Sequence, residues 1–257
     1  MKLCTAVLTR GYEDVEQYDM LIKRNQNIDK HLSKKTKIDH LIFHEGNITD
    51  EHQKYIQSKT PEMVLQFLNI SNIAFSNQKE KISFTEAHHF NIKYRHMCHF
   101  WFIDFMNACE QYDRMLRIDE DCFLESNIDD IFEKLDNHTF VTGMVDVDLD
   151  SVTRGLNEFS LIFIKQHENV FHFEKKDTKN PSGPYTNLIG FNLNSIRQNE
   201  MFKKYQNEVD NSNMIYERRW GDLPLWGEVI YYIFDERSMM IDKNIKYFHQ
   251  SHNKKVN

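Results

Sequence analysis

Glycine and proline are scarce in this chain, with 8 and 4 residues among 257. Linkers between domains draw on those residues. Their scarcity argues for one domain spanning residues 1–257, and no internal repeat or low-complexity tract interrupts it. Cysteine is as sparse. Cys4, Cys98, Cys109 and Cys122 stand among apolar neighbours without C-x-x-C spacing. That argues against a zinc or disulfide framework and predicts buried free thiols. No apolar run approaches the ~20 residues of a membrane span. The opening run is only about six residues, too short for a secretory signal. The expectation is a chain without a transmembrane segment, cytoplasmic or otherwise soluble and intracellular. Positive charge is also in deficit: 32 Lys and Arg face 39 Asp and Glu, for a net −7. A nucleic-acid partner is therefore disfavoured, although a local basic pocket is not.

What is present is apolar and aromatic. Hydrophobic residues make up 40% of the chain and aromatics 13%, enough for a sizeable core and too much for global disorder. One stretch carries chemistry. Residues 114–118 read as a short buried strand that runs into Asp119, Glu120 and Asp121. Three consecutive acids at a strand end repel one another unless a cation sits there. On an extended chain Asp119 and Asp121 point the same way. That spacing suits two oxygen ligands to one divalent metal, which can then hold a diphosphate.

The surrounding pattern is α/β. Residues 3–8 read as a buried parallel strand, 18–32 as an amphipathic helix and 39–44 as a second strand. Thr49 and Asp50 open another helix, and 63–68 read as a third strand. Further on, 94–109 read as a helix, 128–135 as a short helix and 139–147 as a strand. Residues 196–209 and 225–234 read as helices, and 245–248 as a last strand ending at His249. Asp146, Asp148 and Asp150 read as the solvent side of a strand or loop. The Lys-rich, Pro/Gly-punctuated segment 166–185 reads as a mobile loop that orders on nucleotide binding. Alternating strands and helices predict a doubly wound sheet with helices on both faces. In such sheets ligands sit beyond the C-terminal strand ends. Thr9 and Arg10, His44 and Glu45, and Asp119 to Asp121 all fall there.

Four segments, in order, resemble the fungal α-1,2-mannosyltransferases of glycosyltransferase family 15. Tyr94-Arg95-His96-Met97-Cys98-His99-Phe100 is similar to that family's Tyr-x-x-Met-Cys-Arg-Phe. Arg117-Ile118-Asp119-Glu120-Asp121 stands where it has Arg-Val-Glu-Pro-Asp. Tyr216-Glu217-Arg218-Arg219-Trp220-Gly221-Asp222-Leu223-Pro224 is close to its Tyr-Glu-Arg-Trp-Gly-Asp-Ala-Pro. Ile245-Lys246-Tyr247-Phe248-His249 is similar to its Ile-Gly-Tyr-His-His. The resemblance implies a GT-A glycosyltransferase fold with a mixed sheet. A nucleotide-sugar-binding half (1–125) would be followed by an acceptor-binding half (126–257). It also implies Mn²⁺, a GDP-mannose donor and retention of configuration. On this mapping Asp119 and His249 hold the metal, with Asp121 beside them, and Tyr94 lies at the donor site. The chain departs from the family in places. The family's glutamate in Ser-Asn-Phe-Glu-Ile falls on Ile189, its proline between the acids is Glu120, and its arginine after Met-Cys is His99.

For the remaining roles, Arg10 after the first strand could reach a phosphate or base, with Thr9 beside it. Glu217 and Asp222 are the acceptor-side acids, Asp222 favoured because Gly221 permits close approach. Arg218 and Arg219 would pair with those acids. His252 is a fallback ligand. The expected function is metal-dependent transfer of a hexose, GDP-mannose favoured, to a glycan or other hydroxyl acceptor. A UDP-sugar donor stays open. So does a non-catalytic nucleotide- or sugar-binding module, which Ile189 motivates and Asp119, Asp121 and His249 oppose. A nucleotidyltransferase would want a Gly-rich phosphate loop near the first strand, where only Thr9-Arg10-Gly11 stands.

Overall fold

Leu3–Thr9 (β1) is buried along almost its whole length, as an unbroken apolar run requires of a strand covered on both faces. The computed structural model describes residues 1–33, 35–75, 83–84, 86–167 and 181–256. After β1 come α1 (Asp19–His31), β2 (Asp39–His44), α2 (Asp50–Ser58) and β3 (Leu65–Asn69). The three strands are parallel neighbours, Cys4 beside Asp39 and Ile42 beside Phe67. Then α3 (Ile92–His99), a π-helical turn (Phe100–Asp104) and α4 (Phe105–Ala108) lead into β4 (Arg114–Ile118). β4 lies parallel to β1 on the side away from β2. Strand order therefore reverses between β1 and β4, where open α/β sheets bind ligands.

The chain continues through β5 (Cys122–Leu124), α5 (Ile128–Lys134), β6 (Phe140–Thr142), β7 (Val145–Asp146), α6 (Asp150–Thr153) and α7 (Leu156–Gln166). β8 (Gly183–Pro184), β9 (Leu188–Asn192), α8 (Leu193–Gln198), α9 (Glu200–Ser212) and α10 (Met214–Glu217) follow. Last are α11 (Asp222–Val229), a second π-helical turn (Ile230–Phe234), β10 (Met239–Ile241), β11 (Tyr247–His249) and β12 (Lys254–Val256). The main sheet has the order β10-β6-β9-β4-β1-β2-β3. β9 runs antiparallel between β4 and β6, so the sheet is mixed. A small sheet, β12-β11-β5, sits beside it.

Side-chain alternation sorts the core onto the two faces of the sheet. Cys4, Ala6, Leu41, Phe43 and Met115 pack with Trp101, Phe105, Tyr205 and Trp226. Their alternates go the other way: Val7 and Ile42 meet Tyr18, Leu21 and Ile56, and Leu116 and Ile118 meet Ile28 and Ile131. All four cysteines are buried and free. Among the described residues no helix is long and apolar enough to cross a membrane.

Several elements differ from their sequence-based outlines. The strand expected over 139–147 is two short ones. The break falls at Gly143, where a Cβ would stand 2.9 Å from the Ile245 carbonyl oxygen. The helix expected over 196–209 divides at Asn199, whose side chain accepts from the Phe202 amide at 2.9 Å and caps α9. The 166–185 segment lies mostly outside the described residues. His99 supplies the cation that its position suggests: Nδ1 meets Asp104 and Nε2 meets Asp210, each at 2.8 Å. Two carboxylate acceptors require two N–H donors, hence the imidazolium. Burial opposes that charge, but the two carboxylates outweigh it and raise the pKa.

Glu228 on α11 is the opposite case. It is 2% exposed, and its carboxylate meets the Asn157 amide at 3.4 Å to each oxygen. Burial pushes its pKa from 4.5 up to about 7, against the lowering effect of Ser160 and Asn157. The folded state then binds more protons than the unfolded between those pH values, so this group's contribution falls as pH rises from about 4.5 to 7. Glu228→Gln should remove that loss. In urea denaturation the variant should gain on the parent by roughly 2–3 kcal/mol between pH 5 and pH 8, at ~1.4 kcal/mol per unit. Parallel pH profiles for the two proteins would refute this.

Candidate active-site cleft

A cleft of about 700 Å³ opens at the C-terminal ends of β1, β2 and β4, lined by Thr9, Arg10, Glu45, Tyr94, Arg117, Asp119, Glu120 and Asp121 among others. A second cavity, about 690 Å³, lies at the N-terminal ends of β1 and β2. Volume does not separate the two. Position at the strand-order reversal and three consecutive carboxylates do.

The acids are not extended as their alternation suggested. The Cys122 amide donates to the Asp119 carbonyl at 3.1 Å, closing a turn over residues 119–122. The turn brings Glu120 into the cleft along with Asp119 and Asp121. Each carboxylate then meets a different partner. Asp119 is gripped by Arg117, Nε to Oδ1 at 2.9 Å and Nη2 to Oδ2 at 3.1 Å. Arg117 is 3% exposed, lies 4.3 Å from the Trp101 ring centroid, and also pairs through Nη1 with Asp222. Part of the cation that three acids demand is thus built into β4 itself, on the face that Met115 shares. Burial raises the Asp119 pKa, and Arg117 opposes that rise without cancelling it.

Asp121 meets His249. Its Oδ2 lies 3.1 Å from Nε2, and the Gln250 amide donates to its backbone carbonyl at 2.9 Å. β5 and β11 make this contact: they pair antiparallel with His249 opposite Cys122. Burial works to raise the Asp121 pKa, but His249 and Ser251 outweigh it and hold it down at about 2. On the far side of the imidazole, Tyr185 Oη lies 2.9 Å from His249 Nδ1 and 2.8 Å from His252 Nδ1. One hydroxyl proton serves both rings, so Tyr185 donates to one and accepts from the other. In the contact with Asp121 the Nε2–H of His249 donates and Nδ1 accepts from Tyr185; the other tautomer, with Nδ1–H donating to Tyr185, would free the Nε2 lone pair for an ion. A buried orienting partner on the second nitrogen is the usual mark of a metal-ligating histidine.

Asp121, Cys122 and His249 are the described residues whose ligand atoms converge within 4.8 Å. Burial raises the Cys122 thiol well above its ordinary range, which leaves the carboxylate oxygen and the imidazole as donors. An oxygen–nitrogen pair of this kind fits a hard-to-borderline divalent ion such as Mn²⁺. Asp119 is not in that group, since Arg117 occupies both of its oxygens. His252 reaches the site through Tyr185.

Glu120 meets neutral groups. Thr9 Oγ1 donates to Oε2 at 2.6 Å, and the Tyr12 hydroxyl stands 3.5 Å from Oε1. Burial, then Asp121 and Asp119, raise its pKa, while the Thr9 hydrogen bond opposes the rise. Arg10 is exposed, with its guanidinium 4.9 Å from the Tyr12 ring centroid. Tyr94 lines the cleft, and its hydroxyl accepts from Arg219 Nη2 at 2.7 Å.

The two acids expected on the acceptor side do not line this cleft. Asp222 is 6% exposed and behind Arg117, and neither it nor Glu217 is among the cleft-lining residues. The doubled arginine does not pair with them. Arg219 Nη1 binds Asp148 at 2.6 Å, so Asp148 is a half-buried, ion-paired acid. Arg218 Nη1 donates to the Arg154 carbonyl at 3.2 Å. Arg219 takes φ 64°, the left-handed conformation that ends α10 just past its C-cap, Arg218. Ile189 on β9 faces Arg117 in register and is fully buried in the core. Sequence reading missed Arg117, Glu120 and Tyr185 as site residues. For the first two, the signal was their place beside the paired acids.

No protein-family model matches the chain, and no curated protein matches it by sequence. Solved structures do match. The mannosyltransferase Ktr4p from S. cerevisiae superimposes with a TM-score of 0.79 at 17% identity, over 97% of this chain and 70% of that one. Core-mannan synthase A from Aspergillus fumigatus, in its Mn/GDP form, gives 0.76 at 16% identity, over 97% and 75%. The galactosyltransferase LgtC, with donor and acceptor sugar analogues, gives 0.52 at 10% identity, over 89% and 70%. This chain has the GT-A fold. In the GT-A frame the cleft lies at the strand-order reversal, and the small β12-β11-β5 sheet delivers His249 to its edge.

Proposed function

We propose that this protein is a metal-dependent glycosyltransferase. It moves a hexose, with mannose from GDP-mannose the favoured donor, to a hydroxyl of a glycan or glycoconjugate. The observation that carries this reading is the Asp121–His249 pair, 3.1 Å apart beside the cleft. Two distant parts of the chain supply it, and Tyr185 orients the imidazole. The likeness to Ktr4p and to the Mn/GDP form of core-mannan synthase A supports the choice of metal and base. Residues 1–125 would form the donor half and 126–257 the acceptor half.

Asp121 and His249 would hold the ion, with Asp119 adjoining. Once bound, it neutralises charge that develops on the leaving diphosphate. The chain's own groups do the rest. Arg117 keeps Asp119 fixed through a two-point grip. Arg219 fixes the Tyr94 ring at the cleft wall, and Thr9 and Arg10 border the donor space. Ile189 offers neither nucleophile nor base where the resembling family has glutamate. That favours front-face transfer with retention, the leaving phosphate oxygen taking the acceptor's proton while the acceptor oxygen bonds to the anomeric carbon.

The test is donor hydrolysis and transfer across GDP- and UDP-sugars, with and without Mn²⁺. GDP-mannose should turn over only with metal, the product should keep the donor's anomeric configuration, and no glycosyl-enzyme adduct should form. An inverted product or a trapped adduct would overturn the front-face route. Binding without turnover of any donor would point to a non-catalytic module.

A further inference from the structure

We infer that Glu120 is a donor-specificity residue, taking paired N–H or O–H donors from the nucleoside of the bound nucleotide. This rests on the donor cleft proposed above. Three carboxylates end β4, and two are held by basic side chains: Asp119 by Arg117 and Asp121 by the His249 imidazole. Among the described residues Glu120 has no ion pair.

Among the described residues its one short contact is the Thr9 hydroxyl, 2.6 Å from Oε2. Among those residues Oε1 has the Tyr12 hydroxyl alone, at 3.5 Å, the outer limit of a hydrogen bond. An ionised carboxylate has about four acceptor sites, so Glu120 holds spare acceptor capacity. It lines the cleft between Thr9 and Asp121. A ligand closing over it removes water from those oxygens, which is unfavourable unless the ligand returns hydrogen bonds. A phosphate, all acceptor, cannot. A nucleoside can, through the vicinal diol of its ribose or through the adjacent N–H groups of a guanine edge. The Thr9 contact spans the β1–β4 reversal and fixes where Glu120 presents its free oxygen.

Calorimetric titration in Mn²⁺ tests this on the intact protein, with GDP, 2′-deoxy-GDP, IDP and UDP against the parent, Glu120→Ala and Glu120→Gln. The parent should bind GDP, and Glu120→Ala should weaken that by roughly tenfold to a hundredfold, the scale of hydrogen bonds to a charged group. If the diol is the partner, the parent prefers GDP over 2′-deoxy-GDP and Glu120→Ala erases the preference. If the guanine edge is the partner, the preference that vanishes is GDP over IDP. Glu120→Gln keeps the shape but replaces one acceptor with a donor, and should lose nearly as much. Unfolding midpoints for both variants should match or exceed the parent's, since a like charge has been removed. Variants that bind GDP as tightly as the parent, with both preferences intact, would overturn the assignment. A parent that binds no nucleoside diphosphate overturns the functional reading itself, and this inference with it.

Discussion

Replacing His249 with alanine is expected to cut metal-dependent turnover about a thousandfold, and Asp121→Ala to do the same. The ion's stabilisation of the leaving diphosphate is worth several kcal/mol, and ~1.4 kcal/mol is a factor of ten in rate. Direct Mn²⁺ titration should show the loss of affinity without any donor present. The two substitutions differ in their effect on the apo protein. Asp121 is held at about pKa 2 by His249 and Ser251 against its burial, so its ionised form is stabilised by folding. That contribution is present above the unfolded value near 4 and fades as pH falls toward 2. Asp121→Ala should therefore cost a little stability at neutral pH and nothing near pH 2. Tyr185→Phe, which removes only the hydroxyl at His249 Nδ1, should weaken Mn²⁺ affinity by about tenfold to a hundredfold. Unchanged Mn²⁺ binding in His249→Ala would remove this histidine from the metal site.

Arg117→Met should produce the largest loss of stability. Its guanidinium is buried between Asp119 and Asp222. Removing one member of such a group leaves uncompensated buried charge, at a cost of about 3–5 kcal/mol. Turnover should fall as well, since Asp119 loses its grip at the cleft. Adding Asp222→Asn to Arg117→Met should recover part of the stability, because one of the two orphaned charges is gone. The four proteins of this cycle, compared by urea denaturation, should show a coupling of at least about 1 kcal/mol. Additive effects would mean that the two residues do not share the pair.

Much of the first half of the fold was legible because local pattern suffices there. The apolar run at 3–8 has to be a strand covered on both sides, and the spacing of Leu21, Ile22, Asn25 and Ile28 has to be one helix face; both are buried as expected. The second half was less legible. β9 is five residues with a glycine in the middle, too short for periodicity to declare its direction. Its antiparallel place between β4 and β6 depends on partners distant in sequence. α7 went unread although Leu156, Ser160, Phe163 and Ile164 keep helical spacing and are buried, because the polar tract after it drew the whole region toward a loop.

The candidate site divides along the same line. By itself the sequence determined that acids would gather at the end of a buried strand, that the thiols would be buried, and that Asp119, Asp121 and His249 were the residues to watch. Only the tertiary structure decided which partner each acid would meet. Arg117 shares a strand face with Met115 and so turns toward Asp222 and Trp101, from where it claims Asp119. The β5–β11 pairing carries His249 to Asp121. The turn closed by the Cys122 amide leaves Glu120 in the cleft with neutral neighbours. Periodicity specifies which face of an element a side chain takes. Its partner across that face is set by long-range strand pairing, which no local spacing encodes.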